Sequence, residues 1–308
     1  MKILVTGANG DIGEAVGRIL IEAFPHALVH GADAAGKWPG GFIFQKMSDL
    51  PYASDLKYIE KLSNLAKEYD LIIPTSEPEL VILSKEIDIQ KKIPLLMVSP
   101  VILKLFLDKY DTAFYLEKAG FNPPKTKLLN EANLKDLPLY VKPRRGAGSK
   151  GHSLVINEAE LKYIKQTGQQ NLVAQEFIDG EDNEYTCALF RGQNIFRSII
   201  LKRKLQGDKS IIAQVENITS INNLLSQLAE IMDLRGNINV QFKLTQEGAR
   251  IFEINPRLSS TVMMRNLLGF KDLIWWIEDF FHQQISKYIE PKNGSCAYRM
   301  STEKVILL

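Results

Sequence analysis

The chain has 308 residues, enough for two or three compact lobes around a substantial core. Hydrophobic residues make up 45% and charged residues 24%, which fits an ordinary globular protein rather than a disordered or membrane-embedded one. A net charge of +2, with Lys and Arg spread along the chain and no basic tail, argues neither for nor against nucleic acid, and no such partner is expected.

The first hundred residues alternate strand and helix. Lys2 to Thr6 reads as a buried strand, and Asp11 to Ala23 as a helix with Ile12, Ala15, Val16, Ile19 and Leu20 on one face. Strands are expected at Ala27 to His30, Phe42 to Phe44, Asp70 to Pro74 and Pro94 to Val98, with a helix over Ser54 to Tyr69. This β-α alternation predicts an α/β lobe with a parallel, doubly wound sheet. Such sheets place ligands beyond the carboxyl ends of their strands, where "TGANGDIG" (Thr6 to Gly13) and "TSEPE" (Thr75 to Glu79) fall.

Pro100 to Gly120 reads as two helical pieces broken near Asp108, and Asn122-Pro123-Pro124 then stops helix formation. Short strands follow at Lys125 to Leu128, Leu139 to Lys142, Ser153 to Ile156, Leu172 to Phe177, Glu184 to Phe190 and Asn194 to Leu201. A helix over Ile218 to Leu234 precedes strands at Asn237 to Thr245 and Ala249 to Asn255, then helices at Ser259 to Leu268 and Lys271 to His282. The second part is therefore expected to be α+β with antiparallel sheet. No segment approaches ~18 consecutive apolar residues, so no membrane partner is expected. The first strand starts at Lys2, which leaves no room for a signal peptide, and the expected compartment is the cytoplasm. Cys187 and Cys296 lie far apart, without C-x-x-C or Cys/His metal spacing, and read as buried thiols.

Gly7, Gly10 and Gly13 have the spacing found in short-chain dehydrogenases, and Asp33, 20 residues after Gly13, stands where an acid can take a ribose hydroxyl. That resemblance requires a Tyr-x-x-x-Lys pair on a middle helix. The only such spacing, Tyr288 to Lys292, contains a proline and lies near the C-terminus. An NAD(P)-binding oxidoreductase therefore stays as an alternative, and so does an ATP-binding protein without ligase activity.

Three later stretches carry more chemistry. In "YVKPRRGAGSKGH" a strand delivers Lys142, and Gly146, Gly148, Ser149 and Gly151 follow in a loop. Converging backbone N–H groups of such a loop can cradle phosphates, with Lys142 as a point charge. The stretch is not a Walker loop, and a mobile basic hairpin is the bland reading. In "VAQEFIDGEDNEY" an extended edge at Glu176, Phe177 and Ile178 can meet an adenine, and Glu184 can grip ribose hydroxyls; an ordinary hairpin with solvent-facing acids is the bland reading. In "NVQFKLTQEGARIFEINPRLSS" two strands pair through Gln246-Glu247-Gly248. Glu253 and Asn255, two apart, share one face and offer oxygen ligands suited to Mg²⁺; Gln241 lies on the facing strand, and Arg257 can reach the same space.

In this order the three stretches resemble the ATP-grasp superfamily, with "NVQF…IFEINPRLSS" similar to one unit of the carbamoyl-phosphate synthase large chain. The resemblance runs from about Lys2 to Phe270. It implies a Rossmann-like lobe over 1–99 and an ATP-grasp domain over 100–308, with a small lobe at about 124–177 and a large one at about 178–308. It also implies that Lys109 and Lys142 bind phosphates and that Gly146 to Gly151 close over them. Glu176, Phe177 and Ile178 would hold adenine, and Glu184 ribose. Gln241, Glu253 and Asn255 would hold Mg²⁺, two ions with Glu253 bridging, or Mn²⁺ in their place. Arg257 would steady the transferred phosphoryl group. Gln241 departs from the Glu of many relatives, and the region after Phe270 matches no family motif.

The implied chemistry is ATP-dependent activation of a small carboxylate as an acyl phosphate, which an amine or thiol then captures, leaving ADP and phosphate. The N-terminal lobe would select substrate through Gly7, Asn9, Gly10, Ser76 and Glu77. Arg203 and Lys204 are either anchors for a carboxylate or phosphate, or a solvated basic hairpin. Cys187 reads as core rather than nucleophile, and His152 as structural. The oligomeric state is left open, a homodimer included.

Overall fold

The computed structural model describes residues 1–146, 151–167, 170–180, 183–207 and 209–300. In chain order the N-terminal part comprises β1 (Lys2–Thr6), α1 (Asp11–Ala23), β2 (Leu28–Asp33), β3 (Met47–Asp49), α2 (Tyr58–Ala66), β4 (Leu71–Pro74), α3 (Glu77–Leu83) and α4 (Ile87–Lys92). The strands form a parallel sheet in the order β3-β2-β1-β4. β1 is buried on both faces from Ile3 to Thr6, as a continuous apolar run between two helical layers requires. Two expected strands are absent. Gly40–Phe42 is a single 3-10 turn, which lets Phe44 pack against Gly17 and Gly31, and the third strand instead forms at Met47–Asp49. Pro94 to Val98 contributes only one bridge, Leu95 to Ile72.

The connection that follows has α5 (Pro100–Phe106) and α6 (Lys109–Lys118). Asp108, between them, caps α6 by accepting from the N–H groups of Tyr110 and Asp111 at 3.1 and 3.3 Å. This cap is why Lys109 starts a new helix rather than continuing the old one.

The first antiparallel sheet has the order β5-β8-β6-β7, from β5 (Thr126–Leu128), β6 (Leu139–Pro143), β7 (Ser153–Val155) and β8 (Leu172–Glu176), with α7 (Glu158–Gln166) beside it. It has a small core of its own, built on Leu139, Val141, Val155, Leu161 and Leu172. The second sheet collects β9 (Glu184–Gly192), β10 (Ile195–Gln206), β11 (Lys209–Val215), β12 (Gly236–Thr245), β13 (Gly248–Asn255) and β14 (Cys296–Tyr298). Its order is β13-β12-β9-β10-β11-β14, antiparallel throughout. α8 (Thr219–Ile231), α9 (Val262–Leu267) and α10 (Asp272–Phe280) cover one face. β11 and β14 were not expected from the sequence. Lys209–Val215 follows a turn with only partial alternation, and Cys296–Tyr298 is three residues long, so pairing and not pattern makes them strands.

The N-terminal sheet and the large antiparallel sheet share one continuous core, from Ile3 and Val5 through Phe190 to Trp275. The small sheet stands apart from it. On α9 a fully buried Arg265 pairs with Asp272 at 2.7 Å and donates to Ser259 at 2.8 Å, which fixes the chain just after Arg257. No helix among the described residues is long and apolar enough to cross a membrane.

Candidate functional site

One cleft of ≈ 1570 Å³ lies where the carboxyl ends of β1 and β4 meet the two antiparallel sheets. β12 and β13 build its floor. Along β12, Ile238, Val240 and Phe242 enter the core, which turns Asn239, Gln241 and Lys243 to the other face. The register sets Gln241 opposite Glu253 and Asn239 opposite Asn255. A bulge between Gln241 and Phe242 leaves Phe252 without an opposite residue, so Phe252 and Glu253 both line the cleft. The Asn255 amide donates to Glu253 Oε1 at 3.3 Å. Burial alone would push the Glu253 carboxyl up, but Lys109, Lys142, Arg203 and Arg257 together hold it below its ordinary value.

Lys142, on β6, is 2% exposed, donates to Gln175 Oε1 at 2.8 Å and lies 5.7 Å above the Phe252 ring. Burial, reinforced by the Lys109 charge, lowers its pKa to about 8 against the pull of Glu253 and Glu184. Lys109 Nζ donates to the Gly146 carbonyl at 2.7 Å, and Gly146 N–H donates to Glu77 Oε1 at 2.9 Å. Glu77 Oε2 is 3.9 Å from Arg257, so the glycine loop, the N-terminal lobe and the arginine meet at one carboxylate. Arg257 also donates to the Leu258 carbonyl at 2.9 Å. Gly148 and Ser149 lie outside the described residues, and Gly151 packs beside Pro143 rather than on the cleft.

Glu176, Phe177 and Ile178 edge the cleft as an extended segment. The Glu176 side chain is engaged, accepting from Lys125 N–H at 3.0 Å and Arg250 at 2.7 Å. The Ile178 carbonyl accepts from Lys243 at 2.8 Å. Glu184 lines the cleft, held by Arg203, whose Nε donates to Oε1 at 3.0 Å. The same guanidinium donates to Gln241 Oε1 at 2.7 Å. Arg203 is thus neither a loose surface charge nor an open anchor. Lys204 is exposed at the rim.

Gly7, Gly10, Ser76 and Glu77 reach the cleft; Asn9 does not. Its amide donates to the Gly36 carbonyl at 2.9 Å and its Oδ1 accepts from Gly40 N–H at 2.7 Å. Asn9 therefore ties down the 34–42 loop, which corrects its expected place among substrate contacts. Asp33, the potential ribose acid of a dinucleotide site, accepts from the N–H groups of Asn9 and Ala35 at 2.9 and 2.8 Å. Cys187 is fully buried, and burial pushes its thiol up, which suits core packing. Cys296, by contrast, is exposed rather than buried. His152 sits 3.2 Å from the Tyr140 hydroxyl, with burial and then Lys142 and Lys109 lowering its pKa.

Gln175, Phe252, Lys243 and the Arg203 pairing escaped the sequence. Gln175 adjoins Glu176 in a stretch already singled out, but the bulge that turns Phe252 inward leaves no trace in residue types.

Residues 106–261 match the ATP-grasp domain family, and the chain belongs to that family. It is 27% identical over 197 residues to the carbamoyl phosphate synthase large chain of Paenarthrobacter aurescens (strain TC1), covering 55% of this chain but only 17% of that protein. Among solved structures, N5-carboxyaminoimidazole ribonucleotide synthetase from Thermus thermophilus superposes with a TM-score of 0.76 at 14% identity, covering 96% of this chain and 82% of that one. The biotin carboxylase domain of Hydrogenobacter thermophilus 2-oxoglutarate carboxylase, solved with MgADP and bicarbonate, gives 0.75 at 15% identity, covering 96% and 73%. L-amino acid ligase from Bacillus licheniformis gives 0.71 at 16% identity, covering 94% and 75%. At these identities the structural likeness speaks for the fold.

Proposed function

We propose that the chain is an ADP-forming ligase that activates a small carboxylate with MgATP and joins it to an amine, or to a thiol. One observation carries this reading. Glu253 is half-buried in the cleft and kept ionised there by four cations, with Asn255 and Arg257 at alternate positions beyond it. A hairpin that only had to pack would gain nothing from gathering those charges away from water.

On this reading adenine lies along Glu176, Phe177 and Ile178, the ribose reaches Glu184, and the phosphates meet Lys109, Lys142 and Gly146. Mg²⁺, or Mn²⁺ in its place, fits oxygen donors at Glu253 and Asn255, and when bound it neutralises phosphate charge and fixes phosphate geometry. The carboxylate attacks the γ-phosphorus, the bond to the bridging oxygen breaks, and ADP leaves. Lys109, Lys142 and Arg257 offset the charge on the transferred group. The amine then adds to the acyl carbon and loses its proton, and phosphate departs. The small sheet, with its separate core, is the natural part to close over the cleft and exclude water from the acyl phosphate. The lobes divide at about 99 and 177, substrate choice falls to Gly7, Gly10, Ser76 and Glu77, and the work is that of a cytoplasmic enzyme.

The test is phosphate and ADP release from MgATP against pooled amino acids and small carboxylates, with Glu253→Ala as control. ADP formation that requires one pool and Glu253 supports the ligase. Nucleotide binding with no turnover in any pool favours an ATP-dependent switch instead.

A further inference from the structure

Arg203 occupies the place where the metal set and the ribose acid meet. Its guanidinium donates to Glu184 through two nitrogens and to Gln241 Oε1 at 2.7 Å, and its side chain is 11% exposed. Three features make this arrangement durable. The arginine stands on β10 two strands from Gln241, where the ladder of β9 between them fixes the separation. Both acceptors are themselves anchored in β-ladders. The guanidinium is largely buried, so its departure would leave Glu184 without a partner for its charge.

Gln241 has one side-chain oxygen to offer a cation, and that oxygen already accepts from a fixed positive charge. A divalent ion drawn to the same oxygen would sit within a few ångströms of the guanidinium and be repelled by it. Gln241 also lacks the negative charge with which a carboxylate could hold both cations. Glu253 and Asn255, by contrast, keep their oxygens toward the cleft, and the one hydrogen bond between them leaves Asn255 Oδ1 and Glu253 Oε2 to a ligand. Resting on the ATP reading above, we infer that this chain takes a single divalent cation with its nucleotide, at Glu253 and Asn255, and that Arg203 supplies the positive charge of a second ion on the Gln241 side. The resemblance-based expectation of two bridged ions is replaced by one ion and one guanidinium. Glu184 keeps Oε2 for ribose hydroxyls while Oε1 stays with Arg203, so nucleotide binding need not break the pair.

Mn²⁺ and the non-hydrolysable nucleotide AMP-PNP test this without turnover. Nucleotide binding is first measured by calorimetry. Bound Mn²⁺ is then counted by equilibrium dialysis against nucleotide-only controls, and its electron paramagnetic resonance spectrum is recorded. The expected result is one Mn²⁺ per bound nucleotide with the spectrum of an isolated ion, lost in Glu253→Ala. Arg203→Met combined with Gln241→Glu should bring in a second ion and the signature of a spin-coupled pair. The wild-type count decides the matter even where the double variant does not fold. Two coupled ions in the wild type, with nucleotide bound, overturn the inference and leave the ATP reading intact. Failure to bind AMP-PNP at all overturns both.

Discussion

The glycine-rich turn after β1 and the cations and carboxylate of the cleft both invite a nucleotide, and their polar groups are disposed in opposite ways. In the turn after β1, Gly10 N–H donates to the Gly7 carbonyl at 3.1 Å, Asn9 N–H to Asp33, and the Asn9 side chain to the 36–40 loop. A Cβ on Gly13 would fall 2.2 Å from the Gly7 carbonyl oxygen, so this glycine serves the close approach of α1 to its own turn. Gly7, at φ +64, supplies the left-handed residue that lets the chain reverse. In the cleft, by contrast, Lys109, Lys142, Glu253, Asn255 and Arg257 converge from separate elements on one space. A motif binds a ligand only when its donors and acceptors are still available to it, and spacing alone does not say whether they are.

The contrast can be broken most sharply at Glu253. Glu253→Gln should reduce ADP formation by roughly 10²–10³-fold, in the range seen when one group stabilising transition-state charge is removed, with an unchanged circular dichroism spectrum. An activity within a few-fold of wild type would remove the hairpin from the chemistry.

Next comes Lys142. Its pKa lies at about 8, so the side chain is charged below that pH and neutral above it. ATP affinity should therefore weaken as pH rises past about 8, by up to about tenfold per pH unit, until bound phosphates no longer sustain the charge. Lys142→Met should bind ATP more weakly at neutral pH and lose this part of the profile. The folding counterpart has a definite sign. Between about 8 and the ordinary value of 10.5 the unfolded chain holds the Lys142 proton and the folded chain does not. This residue's contribution to stability thus rises with pH across that window, and the rise should be missing in Lys142→Met.

Substitutions in the N-terminal turn should act on stability and spare nucleotide binding. Gly13→Ala forces a methyl group onto backbone and should cost about 1–3 kcal/mol in denaturant unfolding. Asp33→Ala removes the acceptor for two N–H groups and should cost about 0.5–1.5 kcal/mol. Both should leave the Kd for ATP unchanged; a loss of nucleotide affinity with either would erase the distinction between the turn and the charged side chains of the cleft.

Much of this was legible in advance, for identifiable reasons. The buried run at Ile3 to Val5, the helix break near Asp108 and the hairpin carrying Glu253 and Asn255 are local patterns, and local patterns survive into the fold. What escaped depends on contacts across the chain. The strands at Lys209–Val215 and Cys296–Tyr298 exist because they complete a sheet edge. Arg203 read either as a ligand anchor or as a solvated cation because Glu184 and Gln241 are distant in sequence and adjacent only in the sheet. Asn9 looked available because the loop it ties down gives no hydrophobic signal.

The central claim is that nucleotide binds among Lys109, Lys142 and Glu253 in the cleft and not on the glycine-rich turn at its edge. Calorimetric titration of the wild-type protein with AMP-PNP and Mg²⁺, and separately with NADH, tests it most directly. The expected result is saturable AMP-PNP binding that weakens in Lys142→Met and is indifferent to Asp33→Ala, with no heat from NADH. NADH binding that disappears in Asp33→Ala, with AMP-PNP unbound, would contradict the account.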